Sequence, residues 1–465
     1  MKYIGPFLRI NVLDNKNIQS QLFYLSKESI RHIVLHSGCG IVSKNDDLKS
    51  KSLPKNDDII NSTISPLLCI YRKADGKLIN ENGKLNWNHK KFKKEINITS
   101  NAYMTLSLLE LVDYYNKFVD IDNKKYSLKK CYLDLVGEQL EFFALHCRNC
   151  EGVFIDKYDS TDPMSKEYNL TDKDLKFNFS TQALLMAAYY KYSTYCKSSD
   201  ENQFKNFSLD ILDMFKHYKN EVYNIPHDEL VNVCFAFNVF YKHSNLEDAK
   251  ILLLDFSELM IENLKHLPSS VIKEKIDVSC LAYINCMMLY KETNISKFKD
   301  AANKIYINLE KLYLPEKGIF IKDLDEKENK FTCEEIILYL YMMIIKNHFE
   351  SDKNQEIDFS KINNIYKNQI INSGIILSWP DAPSLDDVER YSDFTSKSDD
   401  LLKDDYFRMS SMPNPENNEL APIFIKYVTL NRRKESYKQY KHSFDASRNM
   451  FLFFLILFLD RDYKD

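Results

Sequence analysis

Residues 450–459 read MFLFFLILFL, ten apolar residues without a break. A membrane-spanning helix needs about 20 such residues, whereas a run of roughly 10 to 14 is characteristic of a buried core helix. Extending the run backwards meets Asn449, Arg448 and Asp445 within about one and a half turns, so it is too short to span. A helix that is apolar on every side must be covered on every side by protein. The chain therefore has to supply other helices that surround this one.

Helices of two kinds precede it. ALLMAAYY (183–190), VNVCFAFNVFY (231–241), VSCLAYINCMMLY (278–290) and IILYLYMMII (336–345) are apolar almost all round; residues 101–118 form a weaker member and 445–459 the sixth. The other kind carries one apolar stripe at i, i+3, i+4 spacing, the mark of a single buried face. Residues 246–265 are typical, with Ala249, Leu252, Leu253, Phe256, Leu259, Met260 and Leu264 on one side and Glu247, Lys250, Asp255 and Glu262 on the other. Segments 129–147, 203–218, 296–313 and 358–371 read likewise. From residue 101 the two kinds alternate, which predicts an inner ring of helices inside an outer ring. The helix at 26–37 can supply the sixth outer member. A period of roughly 50 residues is too long for an open solenoid of 34-residue helix pairs.

This helix order resembles the (α/α)6 toroid of the six-hairpin glycosidases and cellobiose epimerase-like enzymes. The resemblance implies an all-α toroid over residues 101–465. Residues 1–100 are expected to pack on it as a separate segment containing the helix and a β-hairpin, signalled by Asp75-Gly76 and Asn82-Gly83. It further implies a carbohydrate-active enzyme, hydrolase or epimerase, with a saccharide as partner. The alternative is a non-catalytic toroid that serves as a ligand-binding or assembly scaffold, since fold does not fix function. Two carboxylates across an open cleft would favour the enzyme; a mouth filled by aromatic side chains would favour the scaffold.

The rest of the sequence mostly excludes. A net charge of −4 and pI near 6.3 argue against a nucleic-acid partner, which needs a basic face. Nine glycines leave no dinucleotide or P-loop signature, so no cofactor is expected. Cys147 and Cys150 form the single C-x-x-C, with His32 and His36 as an H-x-x-x-H pair elsewhere; structural zinc needs four ligands brought together, and no metal is predicted. Several of the ten cysteines sit in apolar runs, and the first residues contain no apolar signal core. A reducing cytoplasm is the expected compartment, with no membrane partner.

The connections from outer to inner helices are the longer ones, above all 372–443, and long loops in compact domains tend to carry function. Three share a motif, EGVFIDK (151–157), KGIFIKD (317–323) and SGIILSWPD (373–381), read as a glycine turn followed by a short strand. The site is therefore predicted where the inner helices begin. Candidates there are Gln182, Asp228 with Glu229, Asp277, Glu334 with Glu335, and Asp445. Acidic residues also gather in first turns because of the helix dipole, and Thr332 with Glu335 reads as a capping box. In the long loop, Trp379 could offer a flat face to a sugar, beside Asp381, Asp386, Asp387 and Arg390. The expected catalytic groups are Asp381, Glu334 and Asp228. Trp379, Asp386, Asp387, Arg390, Gln182, Asp277 and Asp445 are expected to bind substrate.

Overall fold

The computed structural model of the chain describes residues 15–45, 48, 64–81, 83–162, 165, 167–196, 199–266, 274–351, 360–380, 387, 389 and 418–463. Its ring is built from α1 (Asn15–His36), α2 (Ile98–Asn116), α3 (Asn123–His146), α4 (Phe179–Ser193), α5 (Ser199–His217), α6 (His227–Ser244), α7 (Glu247–His266), α8 (Ile276–Thr293), α9 (Ser296–Glu310), α10 (Cys333–Ser351), α11 (Ser360–Ile365, continued by a π-helical turn Tyr366–Ile371) and α12 (Ala446–Tyr463). Each even-numbered helix packs on the next, and α12 packs back on α2, so the inner ring closes. The odd-numbered helices cover it: α3 lies on α2, α5 on α4, α7 on α6, α9 on α8, α11 on α10, and α1 on α12. This is the predicted all-α (α/α)6 toroid. The helix expected at 26–37 begins at Asn15 and is the sixth outer member. No helix among the described residues is long and apolar enough to cross a membrane.

Inner and outer helices differ as the apolar patterns require. Inner α4 buries every residue except Phe179 and Tyr192. Outer α9, of the same length, buries only Phe298, Ala302 and Leu309. In α12, Leu452 through Leu459 are all essentially inaccessible to solvent, each contributing about 1.5 to 3 kcal/mol of burial. Ends are set locally. Asn97 caps α2 by accepting from Ser100 N–H, and Asp122 caps α3 through Lys124 and Lys125 N–H. Asn245 and Asn294 stop α6 and α8 in the left-handed conformation that asparagine tolerates.

The outer-to-inner connections are docked by a recurring device. A buried amide side chain accepts from one backbone N–H of the connection and donates to the same residue's C=O. Gln182 holds Phe154 this way (3.0 and 2.9 Å) and Gln369 holds Phe320 (2.8 and 3.2 Å). Asn449 does the same for Phe424 (2.8 and 3.0 Å) and Asn101 for Ile70 (2.7 and 3.3 Å). Phe154 and Phe320 belong to the repeated motif, and Ile376 of its third copy bridges to Phe424. The motif glycines, Gly152, Gly318 and Gly374, all have positive φ, which turns the chain back from the outer helix.

The segment before α2 is tied into this frame. Leu67–Ile70 pairs with Gly40–Val42, and Lys73–Asp75 pairs with Ser443–Asp445 immediately before α12. Ile79–Glu81 and Lys84–Asn86 form the hairpin expected there. His32 accepts from Trp87 Nε1 at 2.9 Å, and burial pushes its imidazole down to about 3; it serves the core. Among the described residues no group of three His, Cys, Asp or Glu could hold a metal ion.

Candidate functional site at the mouth of the ring

Contacts between helix starts, including Lys275 just before α8 with Asp228 of α6, show that all inner N-termini meet at one end. Thr99 and Thr181 hydroxyls lie 2.6 Å apart, and Ser100 and Ser447 hydroxyls 3.1 Å. Ser180 N–H donates to Glu229 Oε1 at 2.9 Å, and Arg448 pairs with Glu334. Six aligned helix dipoles therefore direct positive ends at this mouth. Beneath it the bore is filled. Phe235 of α6 lies 6.1 Å from both Phe451 and Phe454 of α12, and 6.2 Å from Phe458. Since α6 and α12 are opposite members of the inner ring, these contacts cross its axis. Tyr103 of α2 completes the layer, 5.3 Å from Phe451 and 5.6 Å from Phe454. Phe451 is partly exposed and floors the mouth. The far end is sealed by ion pairs, Glu110 with Lys191 at 2.5 Å and Asp113 with Arg461 at 2.5 Å.

Two carboxyls stand at the rim in unlike surroundings. Burial pushes Glu229 above the usual carboxylate range, and the Ser180 hydrogen bond offsets only part of the rise. No lysine or arginine among the described residues is paired with it. Burial also raises Glu334, whose carboxyl stays above the usual range although Arg448 pulls the other way, and Glu334 in turn raises the Arg448 guanidinium against its own burial. An opposite charge in direct contact favours the ionised carboxylate. Tyr103 joins the site electrostatically: burial raises its hydroxyl, and the Glu229 charge raises it further. The arrangement provides two carboxyls that burial inclines to keep a proton, one of them opposed by a guanidinium, and the partly exposed Phe451 ring at the mouth.

Of the predicted residues, Glu334 is in this mouth. Asp228 turns outward, its side chain 43% exposed in an ion pair of 2.6 Å with Lys275. Asp277 is half-buried in the first turn of α8, where its charge acts on the Cys280 thiol one turn deeper. Gln182 is not available to a substrate, because both halves of its amide are spent on Phe154. Asp445 caps α12 by accepting from Ser447 N–H at 3.2 Å. Glu335 and Thr332 form the expected capping box, at 2.8 and 3.2 Å. Trp379 is only 4% exposed, so its ring presents no open face. Asp387 lies towards the opposite end, 2.9 Å from Lys125 near the start of α3; the expectation that this stretch borders the mouth fails there. Asp381, Asp386 and Arg390 fall outside the described residues.

Arg448 and Tyr103 were not legible as site residues. Arg448 carried a signal, since a cation in the first turn of a helix opposes the dipole and calls for a compensating partner. Tyr103 sits in an apolar helix and carried none.

No family model matches the chain, and no curated protein matches it by sequence. Solved structures do match in fold. A cellobiose 2-epimerase from Bacillus thermoamylovorans superposes with a TM-score of 0.50 at 9% identity, over 95% of this chain and 99% of that one. A glycoside hydrolase family 76 mannosidase from Bacteroides thetaiotaomicron gives 0.45 at 10% identity, over 95% and 99%. The endoglucanase of the termite Nasutitermes takasagoensis gives 0.41 at 10%, over 96% and 99%. At such identity the likeness is one of fold.

Proposed function

We propose that this chain is a carbohydrate-active enzyme of six-hairpin type that works at the mouth of the ring. Glu229 is the proton donor, and Glu334, paired with Arg448, is the base. The observation that carries the reading is the pair of rim carboxyls in unlike surroundings, one with a guanidinium partner and one without, at a mouth floored by the partly exposed Phe451 ring. An aromatic floor packs against the C–H face of a sugar while rim groups bond its hydroxyls. The cellobiose epimerase that shares the fold supports a saccharide as substrate.

In hydrolysis, Glu229 passes its proton to the glycosidic oxygen as the C–O bond breaks, while Glu334 takes a proton from the attacking water. In epimerisation the same base removes a proton from the carbon beside the open-chain carbonyl, and an acid returns one to the other face. Incubation with cellobiose and mannobiose separates the two, because hydrolysis creates new reducing ends and epimerisation does not. Glu229→Gln and Glu334→Gln should each lower turnover by about 10² to 10⁴ with little change in melting temperature. Full activity in both variants sinks the assignment. The ten free thiols support a reducing compartment.

The filled bore favours a second reading, in which the mouth binds a saccharide without turning it over. Binding to the unmodified protein with neither product formed would select it.

A further inference from the structure

From a groove outside the ring mouth we infer a second, independent saccharide site on the same end of the molecule. The groove has a volume of about 600 Å³, within the range of about 300 to 1,000 Å³ usual for small-molecule sites. The end of outer helix α11 forms one wall, and the Tyr427–Asn431 and Ser436–Gln439 hairpin forms the other. Its base is apolar, made by Ile319 and Leu430, both largely buried.

Three features converge there. The Tyr437 hydroxyl and Arg432 Nε, both on the hairpin wall, are buried polar atoms without a hydrogen-bond partner. Such atoms are rare in folded proteins and call for an explanation; both are closed to solvent here, and a ligand whose entry moves the hairpin enough to uncover them and supplies the missing partners is one. The opposite wall is the π-helical turn Tyr366–Ile371, a conformation over-represented at functional sites. It brings Asn368 and Asn372 together, with Asn372 Nδ2 3.4 Å from Asn368 Oδ1. The hairpin turn holds Glu435 at φ +49, unusual for a residue other than glycine, and Lys317 pairs with it at 3.0 Å.

The charges decide the ligand class. Glu316 and Glu435 balance Lys317 and Arg432, so the groove attracts neither anions nor cations as such. It presents the rim amide of Asn372, a phenol and a guanidinium N–H over an apolar base, the Asn368 amide being spent on Lys317 C=O, Gly318 C=O and Asn372. A neutral ring bearing hydroxyls meets a donor or an acceptor at each wall and packs its C–H face on Leu430 and Ile319. The ligand is a neutral oligosaccharide, and the site neither uses nor needs the Glu229 and Glu334 chemistry.

Isothermal titration with cellotetraose and with mannotetraose tests this on the full chain. At least one should bind. Tyr437→Phe should weaken that binding roughly fivefold, the value of one neutral hydrogen bond. Asn372→Trp, at an exposed rim position, should abolish groove binding by filling the space while leaving the melting temperature unchanged. Glu334→Gln should leave groove binding intact. The inference is overturned if neither sugar binds, if Asn372→Trp binds as the parent does, or if binding disappears in the Glu334 variant alone.

Discussion

Glu389 has its side chain almost wholly buried between Lys27 of α1, at 2.6 Å, and Lys125 of α3, with the Tyr114 hydroxyl donating to it. Burial by itself would raise this carboxyl; Lys27 and then Lys125 outweigh it and hold it at about 2. A glutamate in the unfolded chain titrates near about 4.3. Between these values the unfolded chain binds the extra proton, so the contribution is complete above about pH 4.3 and is lost as the pH falls towards 2. Glu389→Gln should therefore flatten the acid limb of the stability curve in that window. It should also cost about 3 to 5 kcal/mol at neutral pH, because two buried ammonium groups lose a shared partner; denaturant titrations from pH 2 to 7 measure both. Trp379 argues the opposite way from its sequence setting. An indole followed by Asp381 and Asp386 reads as a sugar platform, but whether a ring faces solvent or core depends on what folds over it. Here Leu377 N–H donates to Ile423 C=O and Ser378 Oγ to Leu420 C=O, which lays the segment against buried chain. Trp379→Ala should then lower stability by about 3 to 5 kcal/mol and leave sugar affinity untouched, as paired thermal and binding assays would register.

At the scale of elements, helix kind was readable because burial leaves a periodic trace. Apolar residues on every side announced α4, α6, α8, α10 and α12, and a single stripe announced α7 and α9. Partners of polar side chains leave no such trace. Gln182 lies in the first turn of an inner helix, where a binding residue and a docking residue look alike. Only its two bonds to Phe154, 28 residues away, tell them apart. Gln182→Leu would strand a buried N–H and a buried C=O at once, each costing about 1 to 3 kcal/mol. We expect a loss of about 2 to 4 kcal/mol and faster hydrogen exchange confined to the 148–157 connection. Exchange accelerated uniformly over the whole ring would mean that the clamp does not act on its own connection. Arg448 was equally opaque: its pairing with Glu334 spans 114 residues and exists only because the ring brings α10 beside α12.

For the molecule as a whole, the order of helices disclosed the architecture and said little about the mouth, because the order repeats and the rim does not. Each inner helix begins with different residues, and which of them face the axis depends on a rotation of each helix that periodicity cannot fix when every face is apolar. The ring also has a seam. Its final inner helix is covered by its first outer one, and Gln19 Nε2 donates to Tyr463 C=O across a separation of 444 residues. During synthesis at about 5 to 20 residues per second, the stripe of α1 waits roughly 20 to 90 s for the helix it covers. Neighbouring hairpins such as α4 with α5 can form as they emerge. Leu25→Ala in α1 and Leu185→Ala in α4 remove the same buried side chain and should cost similar amounts at equilibrium, about 2 to 5 kcal/mol. Their effects on refolding should differ: the α4 variant slows an early step, while the α1 variant leaves that step alone and weakens only the last. Stopped-flow refolding, with both rates measured, would register that order. Late closure has a cellular corollary. Until α12 emerges, the apolar stripe of α1 stands open, and for that interval the protein is a client for whatever shields nascent chains from one another.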